Sequence, residues 1–249
     1  MIRAACLALA LCLSSGTARA ETRDLNLDEF VAANLIAIFY HEFAHALVDV
    51  LRLPIFGQEE DAADVLSILM VHENFTEESA RDIAWSAALG MRGASDPDRI
   101  NARDVAWWDT HGPDLQRFDT MVCLFYGADP GGRRSFARGL GLPDQRATYC
   151  VEEYQLASES WGPVLDDLYD AGGGETMRFK VRGRLGLDAR LTAEIVRREV
   201  QALNAVLSLP EEIDVVVENC GEPNAFYDPN YREIIMCVEF ADYLASVAP

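Results

Sequence analysis

The chain has 249 residues, and its 41 acidic against 21 basic side chains give a formal charge of −20. Such a surface repels phosphate backbones and anionic lipid, which disfavours nucleic acid and membrane surfaces as partners. Half of the residues are hydrophobic, enough for one domain with a real core.

Residues 1–20 read as an export signal rather than as fold. Arg3 supplies the positive start and Ala4 to Leu13 a short apolar run. "TARA" then ends in an A-x-A site, so cleavage is expected after Ala20 and the mature chain is periplasmic or secreted. The run is too short for a comfortable membrane span. No later segment reads as long and apolar enough to cross a bilayer, so stable insertion is not expected. Removing the leader takes Arg3 and Arg19, leaving 19 basic against 41 acidic side chains, a charge near −22. It also takes Cys6 and Cys12. Cys123, Cys150, Cys220 and Cys237 remain, an even set that suggests two disulfides among three connectivities. The expected pairs are Cys123–Cys150 and Cys220–Cys237. A hairpin centred between Asp228 and Pro229 would set 220 opposite 237.

Asn26 with Glu29 three residues on forms a capping box, opening a helix that runs to about Leu53 and stops before Pro54. Between Phe30 and Tyr40 only Asn34 is strongly polar, so this helix is buried nearly all round. A second helix covers about 58–71, and Thr76 caps a third that ends near Gly90. Residues 92–104 are a loop by their Gly, Pro and Asp content. Trp107 and Trp108 read as core. Further helices are predicted at 113–126, within 133–140, at 144–158 and at 191–207, with a hinge at 170–175. The period then changes: "IDVVVEN", "NAFY" and "REIIMCVEF" are rich in β-branched and aromatic residues, hence short strands. The predicted fold is α+β, mostly helical with a small sheet at the end, in one domain over 21–249.

"HEFAH" stands inside the first, most apolar helix. His41 and His45 are i and i+4, so both imidazoles project from one face. That spacing lets two imidazoles hold one Zn²⁺ while Glu42 reaches a bound water. The motif alone is weak, because a buried helix with partnered histidines has the same letters. Burying Glu42 unpaired would cost several kcal/mol, roughly, and a metal with its water relieves that. A catalytic zinc needs a third ligand. Glu60 and Asp64 are again i and i+4 at the start of the next helix. Glu60 could be that ligand and Asp64 the acceptor that orients a ligand histidine. Glu59 stays open as the alternative, and Glu59, Glu60 and Asp61 would also complement a helix N-terminus.

"HEFAH" followed by "EDAAD" resembles the gluzincin zinc peptidases, whose second motif is E-x-x-x-D, and the neprilysin family most of all. "DTHGPDLQR" is similar to that family's D-x-H-x5-R segment, and "PNAFYDPNYREI" to its N-A-[FY]-Y edge strand. The resemblance implies that His111 steadies an oxyanion, that Asp109 orients His111 and that Arg117 holds a substrate carbonyl. It also implies that Asn224 and Ala225 bind the peptide main chain. The strand motif follows the zinc motif here, whereas in neprilysin relatives it precedes it. The overall layout is similar to an exported bacterial metallopeptidase family classed as a domain of unknown function.

The expected function is a zinc-dependent peptidase with one Zn²⁺ on His41, His45 and Glu60 and with Glu42 as general base. Its substrates are expected to be peptides or proteins; the oligomeric state stays open. Two alternatives stand beside it: a non-catalytic exported zincin-like binding protein, and an amidase acting on a non-peptide amide.

Overall fold

A computed structural model describes residues 26–94, 105–184, 186 and 189–249. The predicted signal peptide and most of the predicted 92–104 loop lie outside these residues.

Helix α1 (Leu27–Leu51) is the axis of the fold. Asn26 caps it by accepting from the Asp28 N–H, and Arg52 ends it in the left-handed region with φ 53°. Phe30, Leu35, Phe39, Phe43 and Leu47 are all buried, and the helix has no solvent stripe through its middle. It is therefore long and apolar enough to cross a membrane, which corrects the sequence expectation, yet 83% of the qualifying window is buried inside the protein. Helices α2 (Glu59–Asn74), α3 (Glu77–Ala94), α8 (Arg190–Val206) and α9 (Glu239–Val247) pack around it.

Helix α4 (Asp114–Ala128) packs on α2 and α3; α5 (Arg134–Gly139) and α6 (Asp144–Ala147) are short. Helix α7 (Cys150–Asp170) continues past the predicted stop at Ser158 and through Pro163. Trp161, Leu165 and Leu168, spaced at i, i+4 and i+7, are buried and hold the extension against its neighbours. The Cys123–Cys150 disulfide ties α4 to the start of α7.

The sheet has four strands in the order β1-β2-β4-β3: β1 (Met177–Arg182), β2 (Ile213–Glu218), β3 (Ala225–Asp228) and β4 (Glu233–Cys237). The fold is thus α+β as expected, with two corrections. β1 precedes α8 and pairs in parallel with β2, which requires the crossover that α8 supplies. The last predicted strand ends at Cys237, and α9 begins at Glu239. β3 pairs antiparallel with β4 alone and forms one edge of the sheet.

The Cys220–Cys237 disulfide is present, but the geometry proposed for it is not. Asp228 faces Glu233 and Ala225 faces Met236, so Asn224, not Cys220, lies across from Cys237. The hairpin is closed by a longer loop in which Asp228 Oδ1 accepts from the Asn230 N–H and Arg232 takes φ 52°. Cys220 lies outside β3, and Glu239 steadies its segment by accepting from the Cys220 and Gly221 N–H groups.

Trp107 and Trp108 are not core. They stand 75% and 87% exposed at the corner of a turn in which the Asp109 N–H donates to Ala106 O.

Candidate metal centre

α1 and α2 meet so that three side-chain atoms converge. His41 Nε2 and His45 Nε2 are 3.3 Å apart, and Glu60 Oε2 lies 3.1 Å from the first and 3.2 Å from the second. Tetrahedral ligands bound at about 2.0–2.1 Å are separated by about 3.3–3.4 Å. The triangle already has that edge length, and His41, His45 and Glu60 form a group that could hold a metal ion. Its two imidazoles and one carboxylate are a donor set suited to a divalent transition metal. The short turn at 52–58 folds the start of α2 back onto the α1 face, which is why the two i, i+4 pairs confront each other.

Each imidazole is oriented from behind by a carboxylate. His41 Nδ1 lies 2.9 Å from Asp64 Oδ1, and His45 Nδ1 lies 2.7 Å from Glu59 Oε1. A carboxylate there accepts the Nδ1 proton and leaves the Nε2 lone pair facing the triangle. The two candidate third ligands therefore take different places: Glu60 faces both Nε2 atoms and Glu59 sits behind His45. The sequence offers Glu59 as a ligand or as a helix N-terminal acid, and gives no sign of its place behind His45.

Asp64 is itself gripped by Arg117, which donates from Nε to Oδ2 at 2.7 Å and from a terminal nitrogen to Oδ1 at 2.8 Å. The resemblance implied a substrate contact for Arg117. In the structure its fork is engaged with Asp64, although it also lines the cavity described below. His111 Nε2 lies 2.8 Å from Glu60 Oε2, and its ring stacks on His41 at 5.9 Å. Asp109, expected to orient His111, instead accepts from its neighbour Thr110, from the N–H at 2.6 Å and from the hydroxyl. A carboxylate adjacent to an exposed N–H closes on it locally, and Glu60 is what meets the imidazole.

The electrostatics divide the acids into two kinds. Burial pushes the Glu42 carboxyl up, and the pull of His41 and His45 does not cancel it. Burial also acts on Glu60 and Asp64. For Glu60, hydrogen bonds from His111, His41 and His45 outweigh it; for Asp64, those from Arg117 and His41 do. Both are held well below the usual carboxylate range. Glu42 thus has a greater proton affinity than Glu60 or Asp64. Burial alone would push His41 down, but Asp64 and Glu60 hold its imidazolium up to about 9. Burial likewise opposes the His45 imidazolium, while Glu60 and Glu59 hold it up.

The site opens into a cavity of about 730 Å³. α1 runs along its floor, and the β3 edge with Asn224, Ala225 and Tyr227 forms one bank. The Asn224 side chain turns back to accept from the Ala225 N–H at 2.9 Å. Tyr227 donates its hydroxyl to Asp49 Oδ2 at 2.7 Å, one helical turn beyond His45. That contact was not foreseen; the i, i+4, i+8 spacing of His41, His45 and Asp49 was its only trace in the sequence.

A family model described as "Putative metallopeptidase" matches residues 6–165 and 188–248, most of the chain. Neither a curated protein nor a solved structure gives a significant match.

Proposed function

Since the chain belongs to this metallopeptidase family, we propose that it is an exported zinc-dependent peptidase of gluzincin type. The observation that carries the reading is the triangle of His41 Nε2, His45 Nε2 and Glu60 Oε2, with the buried Glu42 one residue away. His41, His45 and Glu60 would hold the ion. Zinc bound there supplies a Lewis acid that acidifies a water and polarises a carbonyl.

Glu42 takes up the proton that the water loses and delivers it to the departing amine. Its raised proton affinity suits that exchange near neutral pH. His111 donates to the carbonyl oxygen as negative charge develops. Asp64, braced by Arg117, and Glu59 keep the two imidazoles in the ligating tautomer. The exposed edge of β3 offers main-chain groups to an extended peptide by strand addition, and the Cys220–Cys237 bridge restrains the segment that enters it. Both disulfides support an oxidising compartment outside the cytoplasm.

The rival reading, a non-catalytic binding protein on the same scaffold, has no use for Glu42. Metal analysis of the purified mature chain, followed by a peptide-library digest with Glu42→Gln as control, decides between them. One zinc per chain with Glu42-dependent cleavage is expected; a metal-loaded protein that leaves every peptide intact sinks the peptidase reading.

A further inference from the structure

The cavity continues along α1 away from His45, toward the helix N-terminus. Beyond His41 it is walled by apolar groups: Ile38 on α1, Gly90 and Met91 on α3, Met121 on α4, and Leu244 on α9. Two polar groups interrupt this lining, Asn34 and Ser67, and the Ser67 hydroxyl is taken up by donating to Ala37 O at 2.7 Å. Asn34 stands seven residues before His41, hence about 10 Å along the axis and on the same face. It is only 4% exposed and lines the cavity.

The orientation of this amide is set by its partners. Asn34 Nδ2 donates to Phe30 O at 2.9 Å and to Ser86 O at 3.0 Å, and neither acceptor residue borders the cavity. Two carbonyls on one side of the amide require nitrogen there and oxygen on the other. Asn34 Oδ1 therefore lies on the side of Gly90, which does border the cavity. Gly90 is what leaves room for it, because a Cβ at that position would overlap Oδ1. A carbonyl oxygen that a bound apolar group shuts off from water is costly to leave unmatched.

We propose that this inner end of the cavity is a side-chain pocket selective for tyrosine, with Asn34 Oδ1 accepting the phenol hydroxyl. The proposal rests on the peptidase reading for the claim that the side chain belongs to a substrate. The apolar walls receive the ring. A phenylalanine would fill the same volume but leave Oδ1 unpaired. A lysine or arginine would bring a charge among apolar walls with one neutral acceptor to meet it, which is more costly still. Sites built around a substrate hydroxyl reject the analogue that lacks it more sharply than apolar pockets distinguish sizes.

The test compares 4-methylphenol with toluene as probes for the mature protein, by calorimetry, with NMR contacts to the Met91 and Met121 methyls locating each probe. It is run on zinc-loaded and chelated samples. Binding of 4-methylphenol about tenfold tighter than toluene, with the order lost in Asn34→Leu, is expected. Equal or tighter binding of toluene by the wild-type protein overturns the assignment, whether or not Asn34→Leu folds. A peptide pair differing only in Tyr or Phe separates the two levels of the argument. If both are cleaved and Phe is preferred, the pocket assignment fails and the peptidase stands. If neither is cleaved while 4-methylphenol binds, the peptidase reading fails and the pocket stands.

Discussion

Arg117 meets Asp64 through two parallel hydrogen bonds, 2.7 Å and 2.8 Å long, and Asp64 in turn faces the Nδ1 of His41. The arginine is thereby linked to His41 through Asp64. Arg117→Ala should weaken metal affinity by about 10- to 100-fold, as loss of a group that supports a ligand's partner does, and should lower the melting temperature because the buried Asp64 loses both arginine hydrogen bonds. A variant that keeps full metal affinity and stability but shows a raised KM would return Arg117 to the substrate role that the family resemblance implies.

Glu59 and Glu60 are adjacent in sequence and differ in place. Glu60→Ala should abolish stoichiometric metal binding. Glu59→Ala should leave one site per chain with affinity reduced about 10- to 100-fold. Equilibrium dialysis with zinc measures both, and the reverse order would exchange their roles.

Glu42→Gln should keep the metal, since Glu42 lies outside the triangle, and depress peptide cleavage by about 10²- to 10⁴-fold or more. Retained turnover would remove Glu42 as the proton carrier.

Metal uptake should depend on pH with a definite sign. His41 in the metal-free protein holds its proton up to about 9, and only the neutral imidazole ligates. Apparent affinity should therefore rise between neutral pH and about 9, by about tenfold per unit for each proton displaced, and level off above. Calorimetry in buffers of different ionisation enthalpy would report the released proton; a flat profile contradicts the pairing of His41 with Asp64 and Glu60.

Away from the site, the buried Arg133 pairs with Glu77 and lies over the Phe125 ring. Hydrogen bonds from Arg133 hold the Glu77 carboxyl down to about 2, against an ordinary 4.5. A depressed carboxyl contributes stability above its unfolded value and loses it as pH falls through the folded one. The melting temperature should thus decline between pH 4.5 and 2, and Glu77→Gln should flatten part of that decline. An unchanged profile in the variant would exclude this pair as a source of acid sensitivity.

The parts of the fold that announce themselves locally were readable from the chain. Asn26, Pro54 and Thr76 mark helix ends by their own chemistry, and the i, i+4 pairs His41/His45 and Glu60/Asp64 mark faces. β1 was missed although Met177, Phe179 and Val181 alternate with Arg178, Lys180 and Arg182. Its charged face gains partners only across the sheet, at Asp214, Glu218 and Glu233. α9 was hidden because a β-branched run flows directly into it. The Cys220–Cys237 pair was reached through a register four positions out in the sum of paired residues, since the loop at 229–232 is longer than a two-residue turn. Contacts such as Tyr227 with Asp49, or the side of Asn34 that faces Gly90, depend on how distant elements dock, and no local pattern encodes them.

The helix that bears both histidines is also the innermost element of the molecule. Loading the ion should therefore act as a bolt through the whole assembly and not as a local ornament. A chelator should lower the unfolding temperature globally, and restoring zinc should raise it again in proportion to the logarithm of free ion above the dissociation constant. Thermal unfolding thus doubles as a gauge of occupancy that needs no substrate.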